Sequence, residues 1–395
     1  MSVLQHRANG RWNRLAAVLA LIAVAVVSRP AGSAADTQPS PWSTAAPIAT
    51  GLAQAGLPTM AYTRDGMAHA VWESSGALYY AFQPPNRPWS TRVRVAAGLS
   101  PSMVIDANSE LHVLFANQFN GNYEIYYIHR RGSTWFLPIN VSHTSGRSGN
   151  PVLTLAGDGT LNAAWMDNTP GYWTIYHGAW SGVFWSSQPV PYARGQVPSM
   201  AAAPTGTIFL AWQDKVPTTA NPSGEYDVLV SELTEGRWSL PLNVSDSPGV
   251  ESLGVSVAAT GDGVVHTTWV DQSQLIQYCY GRDIYWSHPQ LVWSASSPAH
   301  APRIIADAGS YLNIAWDQLE TIWTTRERAM PAAWPKPDVV AAPVGSLRGV
   351  TMALLPASGV TIGWVQAVSP GGYGLYATWQ ATGLERRAWL PLLTR

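Results

Sequence analysis

Short stretches in which apolar and polar residues alternate, such as Pro101-Ser-Met-Val-Ile-Asp106 and Leu111-His-Val-Leu-Phe115, recur along the whole chain. A period of two over five or six residues marks a strand with one face buried. The second strand of each pair ends on a large aromatic: Trp72, Phe115, Trp165, Trp212, Trp269, Trp316 and Trp364, spaced 43 to 57 residues apart. Shortly before each aromatic stands a turn pair: Asp65-Gly66, Asn108-Ser109, Asp158-Gly159, Thr205-Gly206, Asp262-Gly263, Gly309-Ser310 and Ser358-Gly359. Residues of these types accept the positive φ of a tight hairpin. A third strand follows, as in Glu124-Ile-Tyr-Tyr-Ile128, and a fourth opens at Trp89, Trp135, Trp185, Trp238, Trp286, Trp334 or Trp389. Four antiparallel strands per unit, in one register along the chain, predict an all-β, seven-bladed β-propeller of four-stranded antiparallel blades. Two β-sandwich domains would not keep that register.

The two ends of the chain read differently. Arg7, Arg11 and Arg14, the apolar run Leu15 to Val27 and the small residues Ser33 to Ala35 form the pattern of a secretory signal peptide over 1–35. The expected location is therefore secreted or at the cell surface after bacterial-type export. The propeller is expected over 36–386, as one domain. Trp42 resembles an eighth fourth-strand opening, so Trp42 to Ile48 is expected to pair with Gly374 to Gln380 and close the ring. The segment 387–395 is a tail, or a competing closing strand.

Composition narrows the function. The formal net charge is −1, and only 12% of residues are charged. This removes the electrostatic case for nucleic acid or an anionic membrane as partner, and no membrane contact is expected beyond the signal peptide. Most of the 20 Trp fall at the two repeat positions, where large rings fill the space between blades. Trp173, Trp180, Trp293, Trp323 and Trp379 remain available for other roles. The one cysteine, Cys279, lies in a strand and reads as a buried thiol, so no disulfide forms within the chain.

The turn before the fourth strand of the second unit reads Gly132-Ser-Thr134-Trp135, followed by Leu137-Pro138-Ile-Asn140. This resembles the Asp-box, or bacterial neuraminidase repeat, of the sialidase superfamily, whose pattern is Ser-x-Asp-x-Gly-x-Thr-Trp. Ile128 and Arg130 stand at the Ser and Asp positions, so the boxes are degenerate. The resemblance implies a propeller and, in its active members, glycoside hydrolysis in a central mouth by three arginines, a Tyr with its Glu, and an Asp. The early Arg-Ile-Pro segment of that family is missing here, and Arg303 in Pro302-Arg-Ile-Ile305 is the nearest imitation. No catalytic residue can be assigned.

The candidate chemistry lies in the loops that break the repeat. Asn117, Asp167, Asp214, Asp271 and Gln366 follow the second-strand aromatic by two residues, and Glu73 and Asp317 follow it directly, where a ring of oxygens would meet sugar hydroxyls or a cation, or else accept N–H groups of its own loop. The long loops of the second and third units add the rings Phe119, Tyr123, Tyr172 and Trp173. The predicted ligand-binding set is therefore Asn117, Tyr123, Asp167, Tyr172, Trp173, Asp214 and Asp271, with no metal site and no cofactor. The histidines His69, His112 and His266 recur at one repeat position and read as bonded between blades. Asn140-Val-Ser142 and Asn243-Val-Ser245 match the glycosylation pattern, but strand pairing explains their recurrence. The expected function is recognition of a glycan or an extracellular protein without catalysis, against a sialidase-like hydrolase or an extracellular scaffold.

Overall fold

The computed structural model describes residues 41–380, apart from loop positions 120, 218–220, 284, 296, 344, 357–358 and 369–370. Residues 1–35, where a signal peptide is expected, and the 387–395 segment lie outside the described residues. The chain forms seven antiparallel sheets in sequence order, a seven-bladed β-propeller with no helix among the described residues. In the third blade the strands are Ser148–Leu155, Leu161–Asp167, Thr174–Trp180 and Trp185–Arg194, from the axis outward. In the second, fourth and fifth blades the fourth strand breaks into two pieces, Thr134–Trp135 with Ile139–Asn140, Arg237–Trp238 with Leu242–Asn243, and Tyr285–Trp286 with Gln290–Ser294.

The predicted turns carry the predicted conformation: Gly66, Ser109, Gly159, Gly206, Gly263 and Ser310 all have φ between 58° and 94°. The acidic turn residue fixes the hairpin, as where Asp106 Oδ1 accepts the N–H groups of Asn108 and Glu110. At the opposite end, Gly98 and Gly195 lead into the second and fourth blades with positive φ. A Cβ there would lie 2.4 Å from the Phe115 ring and 2.5 Å from Trp212, so the second-strand aromatic dictates the glycine; the strands themselves run on past that ring, to Phe119 and Val216.

The two tryptophan positions build the core. All seven second-strand aromatics are buried. The fourth-strand ring of one blade packs edge-on against the third strand of the blade before it: Trp135 on Tyr80, Trp185 on Tyr127, Trp238 on His177 and Trp334 on Tyr278, with centroids 5.0 to 5.3 Å apart. The histidines bond within a blade rather than between blades. His69, His112 and His266 meet Tyr80, Tyr127 and Tyr278 of the neighbouring strand at 2.7 to 2.8 Å. Cys279 is buried and its thiol pKa is pushed well up by desolvation.

The seventh sheet is completed from the other end of the chain. Ala46–Leu52 is its outermost strand, paired with Tyr373–Gln380, and Ser43 N donates to Trp379 O at 2.9 Å. The strand runs four residues beyond the expected Ile48, and Trp42 precedes it while packing with Leu347, Val350 and Trp364.

The inner strands of all seven blades surround an axial cavity of about 460 Å³ lined by Met60, Met103, Met200 and Met352 among alanines and branched aliphatics. The blades are tied there by hydroxyls: Thr59 Oγ1 accepts from Met103 N, Ser102 Oγ from Leu153 N, Ser199 Oγ from Val257 N and Ser256 Oγ from Ile304 N, at 3.0 to 3.2 Å.

Candidate functional site at the central mouth

The inner strands begin at the end of the propeller that also carries the second-to-third-strand loops and the blade-to-blade connections. At this loop end a cavity of about 410 Å³ opens between blades one, six and seven, lined by Leu57, His300, Ala301, Arg303 and Leu347 to Val350. Arg303 and Arg348 come from the starts of the inner strands of blades six and seven. Arg303 is half-buried, and desolvation pulls its pKa down while the charge of Asp317 pushes it back up. Arg348 is exposed; its guanidinium lies 4.0 Å over the Tyr373 ring and donates to the Tyr373 hydroxyl. His300 hydrogen-bonds through Nδ1 to Asp317 Oδ2, with the imidazole largely exposed and the carboxylate fully buried. The second oxygen of Asp317 has no hydrogen-bond partner among the described residues. Two guanidinium groups and an imidazole held by a buried carboxylate thus wall one cavity. Such a wall suits an anionic group, because the guanidinium fork matches a carboxylate or sulfate.

The sequence-predicted residues divide into two groups. Asp167 is fully buried and accepts from Thr144 Oγ1, Ser148 Oγ and Thr169 N at 2.7 to 2.8 Å. Asp271 is buried and accepts from Ser252 Oγ and Trp269 Nε1 at 2.7 Å; burial raises its pKa against those two bonds. Both carboxylates are buried and organise their own loops, Asp167 through both oxygens and Asp271 through Oδ1, the alternative to a ring of free oxygens. Asn117 and Asp214 are half-buried and accept the backbone N–H of Gln118 and Lys215 at 2.8 Å. Desolvation raises the pKa of Asp214, against that bond and the charge of Arg194. Trp173 is half-buried, and its carbonyl accepts from Gly195 N. Tyr172 is exposed and Tyr123 half-buried, each under an arginine, Arg194 at 4.3 Å and Arg147 at 4.7 Å.

The mouth itself was largely missed by sequence reasoning. Arg303 is only an imperfect match to a remote motif, and Asp317 is one of the polar residues that follow a second-strand aromatic, while Arg348, His300 and Tyr373 carry no local pattern. A further signal is a cation at the start of an inner strand, a position at which the other inner strands carry none. The Asp-box resemblance fares differently at its two halves. Gly132 turns with φ 56°, but Ile128 is buried in the core and Arg130 lies 5.0 Å over the Tyr80 ring, so the polar half of the box is absent.

No protein-family model matches the chain, and no curated protein matches it. Among solved structures, an ulvan lyase described as a new family of polysaccharide lyase is similar over 86% of this chain and 99% of its own, with a TM-score of 0.58 at 10% identity. The α-L-arabinofuranosidase of Fusarium graminearum gives 0.50 at 11% identity, over 83% and 98%. A fungal alcohol oxidase in complex with copper gives 0.54 at 10% identity, over 86% and 76%. These likenesses establish the propeller architecture. A lyase, a hydrolase and an oxidase share it, so the chemistry has to be argued from the site.

Proposed function

We propose that this propeller is an exported recognition module that binds a glycan at its loop end without cleaving it, an acidic group of the ligand resting on Arg303, Arg348 and His300. The observation that carries the reading is the mouth cavity, whose cationic wall converges from two blades and is large enough for a sugar unit. The glycan-acting proteins among the similar structures lend it support at the level of fold.

Absence of cleavage is argued from the carboxylates. Glycoside hydrolysis uses two of them, set about 5 to 9.5 Å apart across the scissile bond. At the loop end Glu124, Asp167, Asp227 and Asp271 are buried and accept hydrogen bonds from their own loops, and the half-buried Asp214 accepts from Lys215 N. A second reading rests on one observation: the buried Asp317 orients the His300 imidazole beside two arginines, an arrangement able to move a proton near a bound anion.

A glycan array with acidic and neutral members tests the first reading. Capture of acidic glycans is expected, falling at least about tenfold in Arg303→Gln and Arg348→Gln, the loss of one charge-assisted pair. Binding confined to neutral glycans, or unaffected by either variant, overturns it. Products released from the captured glycan, and lost in His300→Gln, would replace it with the enzymatic reading.

A further inference from the structure

Beyond the mouth, the loop end carries cations stacked on tyrosine rings in consecutive blades. Arg147, on the connection into blade three, lies 4.7 Å over Tyr123 of blade two. Arg194, on the connection into blade four, lies 4.3 Å over Tyr172 of blade three. Lys215 lies 5.3 Å over Tyr226, both in blade four. All three cations are exposed, and among the described residues none of the three side chains donates a hydrogen bond or forms an ion pair. Stacking holds a guanidinium flat while leaving its N–H edge free, which lowers the entropy lost when it grips an anion. Of the carboxylates at this end, Glu124, Asp167 and Asp227 are buried in their own loops, while the half-buried Asp214 lies near enough to Arg194 for the two charges to act on each other and offsets part of that cation.

We propose that Arg147, Arg194 and Lys215 form an extended track for a linear acidic polysaccharide, one anionic group per cation, so that the ligand is a polymer and not a single terminal sugar. The inference rests on the reading of the loop end as a glycan-binding face, and it deepens that reading by naming the ligand class. Nucleic acid is disfavoured because the tyrosine faces that would stack a base carry the cations, and the chain has a net charge of −1.

The test is a length series on the full chain: oligogalacturonates for carboxylate, dextran sulfate oligomers for sulfate, and unmodified dextran, each from two to eight units. Affinity for one acidic series should rise on the order of a hundredfold between two and eight units as successive cations engage. The combined variant Arg147→Gln, Arg194→Gln, Lys215→Gln should abolish that rise while leaving disaccharide binding unchanged. Arg147→Lys with Arg194→Lys should keep part of it, which separates lost charge from loosened loops. A length dependence that survives in the combined variant overturns the track, as does a flat series in the wild-type chain or equal affinity for single-stranded DNA of matched charge. Loss of disaccharide binding belongs to Arg303→Gln, so a track that works without a mouth, or a mouth without a track, is told apart.

Discussion

At the scale of single residues, position in the blade decides what a side chain does. Trp165 and Trp185 differ little as residues, yet one is sealed in the second strand and the other lies edge-on to Tyr127. Both roles were legible, because each recurs at one spacing and ring volume is needed in every blade. What Asp167 does was not, because a carboxylate two residues after a core tryptophan is equally suited to greeting a ligand or to organising a loop. Of the deciding partners, Thr144 comes from the preceding connection and Ser148 from the first residue of the blade's inner strand, and no spacing rule places either beside it. The consequence can be measured. Asp167→Asn leaves a buried amide facing donors and is expected to cost about 2 to 3 kcal/mol in chemical denaturation, while glycan capture at the mouth stays intact. Little loss of stability with lost capture would return Asp167 to the binding site.

At the scale of elements, closure and cohesion come from segments that look unremarkable in sequence. The repeat of Pro58-Thr-Met60, Pro101-Ser-Met103 and Pro198-Ser-Met200 is visible along the chain. Its meaning is structural and appears only when the inner strands are side by side: the hydroxyl accepts a backbone N–H of the next blade, and the methionine lines the axis. The closing strand was legible through Trp42, whereas its extension to Leu52 was not, since Ala49-Thr-Gly-Leu52 lacks strand alternation. Ile48 and Leu52 are buried in the seam between the first and last blades, and burying each aliphatic side chain is worth about 1.5 to 3 kcal/mol. Removal of residues 36–50 would strip Trp42 and Ile48 and leave Tyr373–Gln380 as an open edge. The melting temperature is expected to fall by about 10 °C or more, and an unchanged value would mean that another segment can close the ring.

At the scale of the whole molecule, low charge leaves few titratable groups to govern stability, and several of those are buried histidines. Desolvation holds the pKa of His69, His177 and His266 at about 4, below the ordinary value of 6.5. Each stays neutral in the folded chain while the unfolded chain protonates it, so the unfolded state binds more protons as pH falls below 6.5. Their contribution is therefore complete above that pH and is lost progressively down to about 4, at up to about 1.4 kcal/mol per pH unit for each histidine. Asp214 and Asp271 act in the opposite sense, because their raised pKa values let the folded chain take up protons first as pH approaches 4. The histidines consequently dominate between pH 6.5 and 5, and denaturation midpoints should fall steadily across that window. His266 is the best probe, being buried between Tyr278 and Thr260 with both ring nitrogens engaged. His266→Gln should lower stability at pH 7.5 yet flatten the loss between pH 7 and 5.5. An equally steep loss in that variant would mean that the imidazole does not reach the unfolded state with its ordinary affinity for protons, and that the acid sensitivity of the propeller lies elsewhere.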